Sequence, residues 1–90
     1  MLKNLEDLIK TIRERKKSSI DKSYTNKLLN DKNLSVSKVK EEVAELIEAV
    51  EKNSNKVHES ADVIYHLLVY LEANNIKIED VMNELEKRKK

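Results

Sequence analysis

Hydrophobic residues near the start of the chain recur at intervals of three and four, which is the spacing of one helix face. The residues that follow them, 13–17, include four basic side chains, and cations are favourable at the negative end of a helix dipole. The pattern therefore predicts an amphipathic first helix whose last turn is basic. Its apolar stripe consists of Leu2, Leu5, Leu8, Ile9 and Ile12.

The next part of the chain predicts little regular structure. Residues 18–23 are mostly polar, and residues 24–29 predict at most one short helix. Residues 30–33 (NDKN) favour a loop, because Asn and Asp stabilise turns. Ser35 or Ser37 is then the predicted N-cap of the helix that follows.

A second long helix is predicted from apolar residues at helical spacing between positions 36 and 50. On a wheel of about 100° per residue, Glu41, Glu45 and Glu48 lie opposite this stripe and Glu42 lies on its flank. The pattern is typical of an amphipathic helix. The stripe contains Val36, Val39, Val43, Leu46, Ile47 and Val50.

The third main helix, predicted over residues 56–73, is apolar on nearly all sides, which indicates a buried helix. Asn74 and Asn75 end it, because Asn is the usual substitute for Gly at a left-handed helix end. A last helix begins near residues 79–80 and ends in the basic residues 87–90, so both ends suit its dipole. Its apolar residues are Ile78, Val81, Met82 and Leu85.

These elements predict a single all-α domain over residues 1–90, a helical bundle of about four main helices. A domain of this size buries only about 60% of the surface that its unfolded chain exposes. We therefore expect the bundle to complete its core by forming a homodimer.

The composition removes several classes of chemistry, because the 90 residues include no Gly, Pro, Cys, Trp or Phe. A phosphate-binding loop, a dinucleotide fingerprint and a nucleophile elbow all require glycine at fixed positions. Thiolate catalysis, disulfides and cysteine-based zinc sites are excluded as well. The chemistry must come from acidic, basic, histidine and hydroxyl side chains.

The charge balance gives no reason to expect a nucleic-acid or membrane partner. Eighteen basic and 17 acidic residues leave a formal net charge of +1, so no strong field attracts polyanions. The longest apolar stretch, residues 61–71, is interrupted by Asp62 and His66 and is too short to span a bilayer. Residues 1–8 carry charges unlike those of a signal peptide, and a cytoplasmic location is expected.

Two groups of carboxylates are the strongest candidates for a functional site. Glu41, Glu42 and Glu45 share the second long helix, whereas Glu59 and Asp62 share the third. Residues three or four apart project from one side of a helix, where like charges repel. A divalent cation would offset this repulsion, and Mg²⁺ takes carboxylate ligands while bridging to phosphates. The alternative is a solvated acidic face, but charges on the most apolar helix favour a site.

Histidine and tyrosine side chains near the carboxylates are further candidates. His58 and His66 project from different faces of one helix, and no Cys assists them, so zinc is not favoured. His66 is more typical of a core histidine that hydrogen-bonds near the acidic residues. It could also hydrogen-bond to a residue that binds the metal, without binding the metal itself. Tyr24 lies in a polar segment and is a candidate substrate contact, whereas Tyr65 and Tyr70 are typical of a core.

Hydroxyl and basic side chains near these groups could hold a phosphate chain. For the two hydroxyls the alternative is the cap of a short helix, and for the lysines it is an exposed solubilising role. The candidates are Ser23, Thr25, Lys27 and Lys38.

Three segments resemble motifs of the phosphoribosyl-ATP pyrophosphatase family, which belongs to the all-α, MazG-like nucleotide pyrophosphohydrolases. Residues 23–28 (SYTNKL) resemble S-Y-T-x-K-L, and residues 38–45 (KVKEEVAE) resemble K-V-G-E-E-x-x-E. Residues 59–69 (ESADVIYHLLV) resemble E-x-A-D-L-x-Y-H-L-L-V. One departure within these motifs is Lys40, which stands where the family usually has Gly and which suits a helix better.

The resemblance implies hydrolysis of the α–β phosphoanhydride of phosphoribosyl-ATP to phosphoribosyl-AMP and pyrophosphate, the second step of histidine biosynthesis. It also implies a dimer with the site close to the subunit interface, and Mg²⁺ that orients the phosphate chain for in-line attack by water. By motif position, the implied metal ligands are Glu42, Glu45, Glu59 and Asp62, and Glu41 completes the catalytic acidic group. The implied substrate-binding residues are Ser23, Tyr24, Thr25, Lys27 and Lys38.

Two other functions fit the same residues. One is a house-cleaning pyrophosphohydrolase of the same superfamily that acts on nucleoside triphosphates. The other is a helical dimerisation module with an acidic face and no catalytic activity, in which Mg²⁺ would barely change thermal stability.

Overall fold

The computed structural model describes residues 2–17 and 23–89, which fold into five helices without a strand. One helix is short and the other four are longer, so the predicted all-α bundle is confirmed. Residues 18–22 of the predicted polar stretch and Lys90 of the predicted basic end lie outside the described residues. The helices are α1 (Lys3–Lys17), α2 (Tyr24–Asn30), α3 (Lys32–Lys52), α4 (Lys56–Ala73) and α5 (Ile78–Lys87).

The two longest helices, α3 and α4, share the most extensive contact and are joined by a short connection. Helices joined so closely run antiparallel to each other. Asn53 and Asn55 in this connection have φ angles of 53° and 56°, and Asn75 after α4 has a φ of 59°. Asparagine tolerates this left-handed region better than most residues. It therefore takes the positions that glycine usually fills, and the predicted end of α4 is confirmed.

The buried core lies where α1, α2 and α4 meet. α2 has only seven residues and is too short to be stable alone, yet it supplies two of the covered side chains. Tertiary packing rather than helix propensity therefore holds α2 in place. The core residues are Ile12 of α1, Leu28 and Leu29 of α2, and Val69 and Ala73 of α4.

The predicted loop at residues 30–33 and the predicted caps are wrong. Asp31 alone separates α2 from α3, and its Oδ1 accepts the backbone N–H of Leu34 at 3.0 Å. Asp is among the best N-cap residues, so α3 begins at once and needs no longer turn. Ser35 consequently lies inside α3 and is buried, and Ser37 is exposed on the same helix.

We expect Asp31→Ala to lower the free energy of unfolding by about 0.5–2 kcal/mol, the usual effect of losing an N-cap. Ser37→Ala is the matched control and should leave stability close to that of the unmodified protein. Urea unfolding followed by circular dichroism measures both. Equal stability of the two variants would contradict the assignment of Asp31 as the cap.

The apolar stripe of α3 is only partly covered in the structure. The buried residues of α3 are Ser35, Glu42 and Ala49, which recur every seven positions and so share one face. Ile47 and Val50 of the stripe remain 54% and 58% exposed. The side of α3 that carries Ser35, Glu42 and Ala49 is covered instead, and the most extensive contact of α3 is with α4.

α4 is buried on one side only, although its composition predicts burial all round. Its covered residues are His66, Val69 and Ala73, whereas Ile64 and Leu67 remain half exposed. The helices of one chain are too few to surround α4. Both α3 and α4 therefore carry apolar side chains that no described residue of this chain covers.

Charged groups tie α1 to α4 and α5. The Arg13 guanidinium donates to both carboxylate oxygens of Glu79 at 2.9 and 2.5 Å, and its Nε lies 3.7 Å from Glu72. Lys16 Nζ donates to the backbone oxygen of Glu72 at 2.7 Å and to Asn75 Oδ1 at 2.8 Å. Arg13 thus fastens the start of α5, Lys16 fastens the end of α4, and the Arg13 hydrogen bonds lower the pKa of Glu79 to about 2.

We expect Glu79→Gln to reduce the melting temperature (Tm) at neutral pH but not in strong acid. A carboxyl whose pKa is lower in the folded state stabilises the fold above its unfolded pKa of 4.5, and the contribution is lost as pH falls. The Tm difference from the unmodified protein should therefore vanish between about pH 4.5 and about pH 2. Glu86→Gln, exposed on the same helix, is the control. A difference that persists undiminished near pH 2 would contradict this role of Arg13.

No helix in the described ranges, 2–17 and 23–89, is long and apolar enough to cross a membrane.

Candidate active site

The acidic residues predicted on α3 converge in the structure. Glu41, Glu42 and Glu45 each bring a carboxylate oxygen to within 4.8 Å of the other two. Spacings of one and four positions place all three on neighbouring parts of the helix surface. Glu42 is the buried member, with 6% of its surface exposed, and Glu41 is exposed.

The first turns of α4 supply a second group. His58, Glu59 and Asp62 each bring a potential ligand atom to within 4.8 Å of the others. His58 Nε2 lies 3.3 Å from Asp62 Oδ2, and both carboxylates are half-buried. The predicted pair of carboxylates therefore converges, with an exposed histidine beside it.

The two groups adjoin across the contact between α3 and α4, and Glu45 lies beside both. Burial raises the pKa of Glu42, and the neighbouring carboxyl of Glu45 raises it further. Burial also raises the pKa of Glu59, where the charge of Glu45 again disfavours ionisation. Asp62 contributes to the same repulsion on both. The four carboxylates predicted as metal ligands are thus neighbours in the structure.

Two buried oxygens in this cluster lack a hydrogen-bond partner. They are Glu42 Oε2 and Glu59 Oε2, one on each helix. A buried carboxylate oxygen without a donor is unfavourable by several kcal/mol unless a cation or donor meets it. Carboxylate oxygens from two packed helices are the ligands that hard divalent cations prefer. The residues present therefore fit a divalent cation.

The two predicted phosphate-binding lysines differ in their placement. Lys38 Nζ donates to Glu41 Oε2 at 3.2 Å, and this hydrogen bond raises the pKa of Lys38. Lys38 also lies close enough to Glu42 and Tyr24 to interact with them electrostatically. Lys27 is exposed on α2, and no ion pair within residues 2–17 and 23–89 joins it to the carboxylates.

The three hydroxyl residues predicted as substrate contacts are all bonded within the protein. Ser23 Oγ caps α2 by accepting a backbone N–H of its first turn at 3.1 Å. Thr25 Oγ1 lies 2.5 Å from the hydroxyl of Tyr65. The hydroxyl of Tyr24 lies 3.1 Å from Nε2 of His66. Capping, which was the alternative for Ser23, is what the structure shows for that residue.

Sequence reasoning missed two features of this region. It placed Glu42 on the flank of α3, whereas Glu42 is the most buried carboxylate of its group. The available signal was the small residues seven positions to either side, Ser35 and Ala49, which mark a close helix contact. The contacts of Tyr65 and His66 with α2 had no signal, because periodicity describes one helix and not its neighbours.

Comparison with known proteins identifies the family to which the chain belongs. The family model described as phosphoribosyl-ATP pyrophosphohydrolase matches residues 5–89. The phosphoribosyl-ATP pyrophosphatase of Clostridium novyi is 44% identical over 92 residues, which cover 96% of this chain and 81% of that protein. The enzyme of the same name from Bacillus cereus strain B4264 is 46% identical over 86 residues, which cover 90% of this chain and 78% of that protein.

A longer relative matches the whole chain. The histidine biosynthesis bifunctional protein HisIE of Pyrococcus furiosus is 42% identical over 91 residues, which cover 100% of this chain. This chain spans only 42% of that bifunctional protein. The match of the family model over nearly all residues, together with these identities, shows that the chain belongs to the phosphoribosyl-ATP pyrophosphohydrolase family.

Proposed function

We propose that this chain hydrolyses the α–β phosphoanhydride of phosphoribosyl-ATP to phosphoribosyl-AMP and pyrophosphate, the second step of histidine biosynthesis. The observation that carries the proposal is the cluster of four carboxylates across α3 and α4, with one unpartnered buried oxygen from each helix. Membership of the family and the names of two relatives support the choice of substrate. The proposed catalytic unit is one domain over residues 1–90.

Mg²⁺ is the proposed cofactor, and Glu42, Glu45, Glu59 and Asp62 are its proposed ligands. When bound, such a cation neutralises charge on a phosphate chain and lowers the pKa of a bound water. The unpartnered oxygens of Glu42 and Glu59 support this choice. Glu41, which is exposed and paired with Lys38, completes the proposed catalytic acidic group.

The proposed substrate-binding residues come from α3, which carries Lys38, and from the start of α2. Lys38 is placed to pair with a phosphate oxygen, because its ammonium lies at the edge of the carboxylates. Lys27 is exposed on α2, and its flexible side chain is the proposed second phosphate contact. Ser23 is the N-cap of α2, Tyr24 and Thr25 belong to its first turn, and the three would line the nucleotide side.

The active form is proposed to be a homodimer that covers the apolar stripe of α3. Val43, Ile47 and Val50 lie within about 60° on one side of α3, and each is at least 39% exposed. Ile64 and Leu67 on α4 are also exposed. An apolar face on the two helices that carry the carboxylates would place the active site close to the subunit interface. A cytoplasmic location stays a prediction.

A pyrophosphate-release assay with Mg²⁺ tests the substrate. We expect kcat/KM for phosphoribosyl-ATP to exceed that for each of a panel of nucleoside triphosphates by at least about a hundredfold, because discrimination through buried polar contacts commonly reaches that size. A preference for the triphosphates would support a house-cleaning pyrophosphohydrolase. Release from neither class of substrate would support a dimerisation module without catalytic activity.

A further inference from the structure

Two hydrogen bonds between side chains hold the first turn of α2 on α4. Thr25 Oγ1 lies 2.5 Å from the Tyr65 hydroxyl, and the Tyr24 hydroxyl lies 3.1 Å from His66 Nε2. The rings of Tyr24 and Tyr65 stack with centroids 6.5 Å apart, and His66 meets both rings edge-on. Adjacent residues on α2 thus pair with adjacent residues on α4.

The other ring nitrogen of His66 determines the direction of its hydrogen bond. His66 Nδ1 lies 2.8 Å from the backbone oxygen of Asp62. A carbonyl oxygen only accepts, so Nδ1 carries the hydrogen, and Nε2 of the neutral ring is an acceptor. In the neutral ring the Tyr24 hydroxyl therefore donates to Nε2. The backbone of α4 sets the tautomer of His66, and His66 in turn orients Tyr24.

The paired residues border the carboxylate cluster. His66 follows Asp62 by one helical turn and is close enough to Glu42 to interact with it electrostatically. Tyr24 interacts in the same way with Lys38 and Glu42. The first turn of α2 is therefore adjacent to the carboxylates, and its position depends on what holds it to α4.

We propose that Tyr65 and His66 are positioning residues, which fix the first turn of α2 at one wall of the substrate site. The hydroxyls of Thr25 and Tyr24 then bond to α4, and these two residues line the nucleotide side of the site through their place on this turn rather than through hydroxyl bonds to the substrate. The two residue pairs join the segment 23–28 to the segment 59–69. Each segment therefore supplies the hydrogen-bond partners of the other. The role in substrate binding rests on the proposed function, whereas the contact itself is independent of catalysis.

A double-mutant cycle on Thr25 and Tyr65 tests the positioning role. Thr25→Val and Tyr65→Phe each remove one hydroxyl from the same hydrogen bond, and we expect each to raise KM for phosphoribosyl-ATP about two- to tenfold with little change in kcat. The double variant should be no worse than either single variant, because the bond is lost only once. Tyr70→Phe removes a hydroxyl elsewhere on α4 and should keep the unmodified KM.

The contradicting kinetic result is specific. If Thr25→Val raises KM while Tyr65→Phe behaves like the unmodified protein, then Thr25 bonds to the substrate directly. Effects on KM that multiply in the double variant would likewise show that the two hydroxyls act separately. Either result overturns the positioning role of Tyr65.

Hydrogen exchange without substrate tests the contact independently of activity. In Tyr65→Phe and Tyr24→Phe we expect the amides of α2 to exchange about two- to tenfold faster, because a bond that holds this helix is lost, and the amides of α3 to be unchanged. Unchanged exchange in α2 overturns the inference even if the enzyme is active. Faster exchange in α2, combined with no pyrophosphate release by the unmodified protein, would instead refute the proposed function and leave the contact established.

Discussion

Glu42→Gln is expected to reduce Mg²⁺-dependent pyrophosphate release by at least about 10²- to 10³-fold, the usual loss when one charge-stabilising group is removed from an active site. Glu42 is the most buried carboxylate of the α3 group, and its Oε2 lacks a hydrogen-bond partner. A glutamine keeps the shape of the side chain but removes the charge that would bind the cation. The fold should survive, because no described ion pair depends on Glu42.

The same variant should change stability in a way that separates metal binding from folding. Burial and the nearby carboxyl of Glu45 raise the pKa of Glu42, so its ionised form destabilises the metal-free protein above that pKa. Removing the charge should therefore raise the Tm of the metal-free protein near neutral pH. The unmodified protein should gain about 2.7 kcal/mol of stability with Mg²⁺ at 100 times its Kd, and the variant should gain almost none.

Glu48→Gln is the matched control for both measurements. Glu48 is an exposed glutamate on the same helix and forms an ion pair with Lys52, and it belongs to neither of the two converging groups. Its variant should keep the pyrophosphate release and the stabilisation by Mg²⁺ of the unmodified protein. A Glu42→Gln protein that retained both properties would show that the carboxylate cluster is not the metal site.

Ile47→Glu is expected to convert the proposed dimer into monomers. Ile47 lies in the middle of the exposed stripe of α3 and is 54% exposed in the isolated chain. Covering a large aliphatic side chain contributes about 1.5–3 kcal/mol, and a symmetric interface contains each residue twice. The dimer dissociation constant should therefore rise at least about a hundredfold. Sedimentation velocity over a range of concentrations measures this change.

Met82→Glu on α5 is the control for the interface. Met82 is 48% exposed, so its substitution places the same charge on a comparably exposed apolar side chain of another helix. It should leave the dimer intact. Monomers in both variants, or dimers in both, would contradict the assignment of the α3 stripe as the interface. Activity should fall with dimer content if the site needs the partner subunit.

The secondary structure was readable from the sequence wherever a local signal marked it. The apolar spacing of α1 and the asparagines at 74 and 75 predicted one helix and the end of another correctly. The start of α3 was misplaced because two serines were favoured as caps over Asp31, which lies directly after α2. Each of these helix bounds depends on a few neighbouring residues. The predictions were therefore correct where those residues favoured one structure clearly, and wrong where two caps were equally plausible.

The sequence predicted which carboxylates form the cluster, but it did not predict which of them are buried. The spacing of Glu42 and Glu45 and of Glu59 and Asp62 places each pair on one side of its helix, and this convergence is what the structure shows. The sequence also predicted the apolar stripe of α3, but not that Val43, Ile47 and Val50 within it are exposed. A stripe that is apolar enough for a core is equally suited to a subunit interface, and a single chain cannot distinguish the two.

Contacts between distant segments were beyond the sequence. The bond between Thr25 and Tyr65 joins residues 40 positions apart. The bond between Arg13 and Glu79 joins residues 66 positions apart. Nothing in the periodicity of one helix specifies which residue of another helix it meets. Such pairs follow from the packing of α1, α2 and α5 on α4.

The central claim is that the chain cleaves phosphoribosyl-ATP between its α and β phosphates through carboxylates that bind a divalent cation. Mass spectrometry of the reaction products, formed with Mg²⁺ and again with EDTA, tests it most directly. We expect equal amounts of phosphoribosyl-AMP and pyrophosphate with Mg²⁺ and no hydrolysis with EDTA. Formation of phosphoribosyl-ADP and orthophosphate, or hydrolysis that is unaffected by EDTA, would contradict the account.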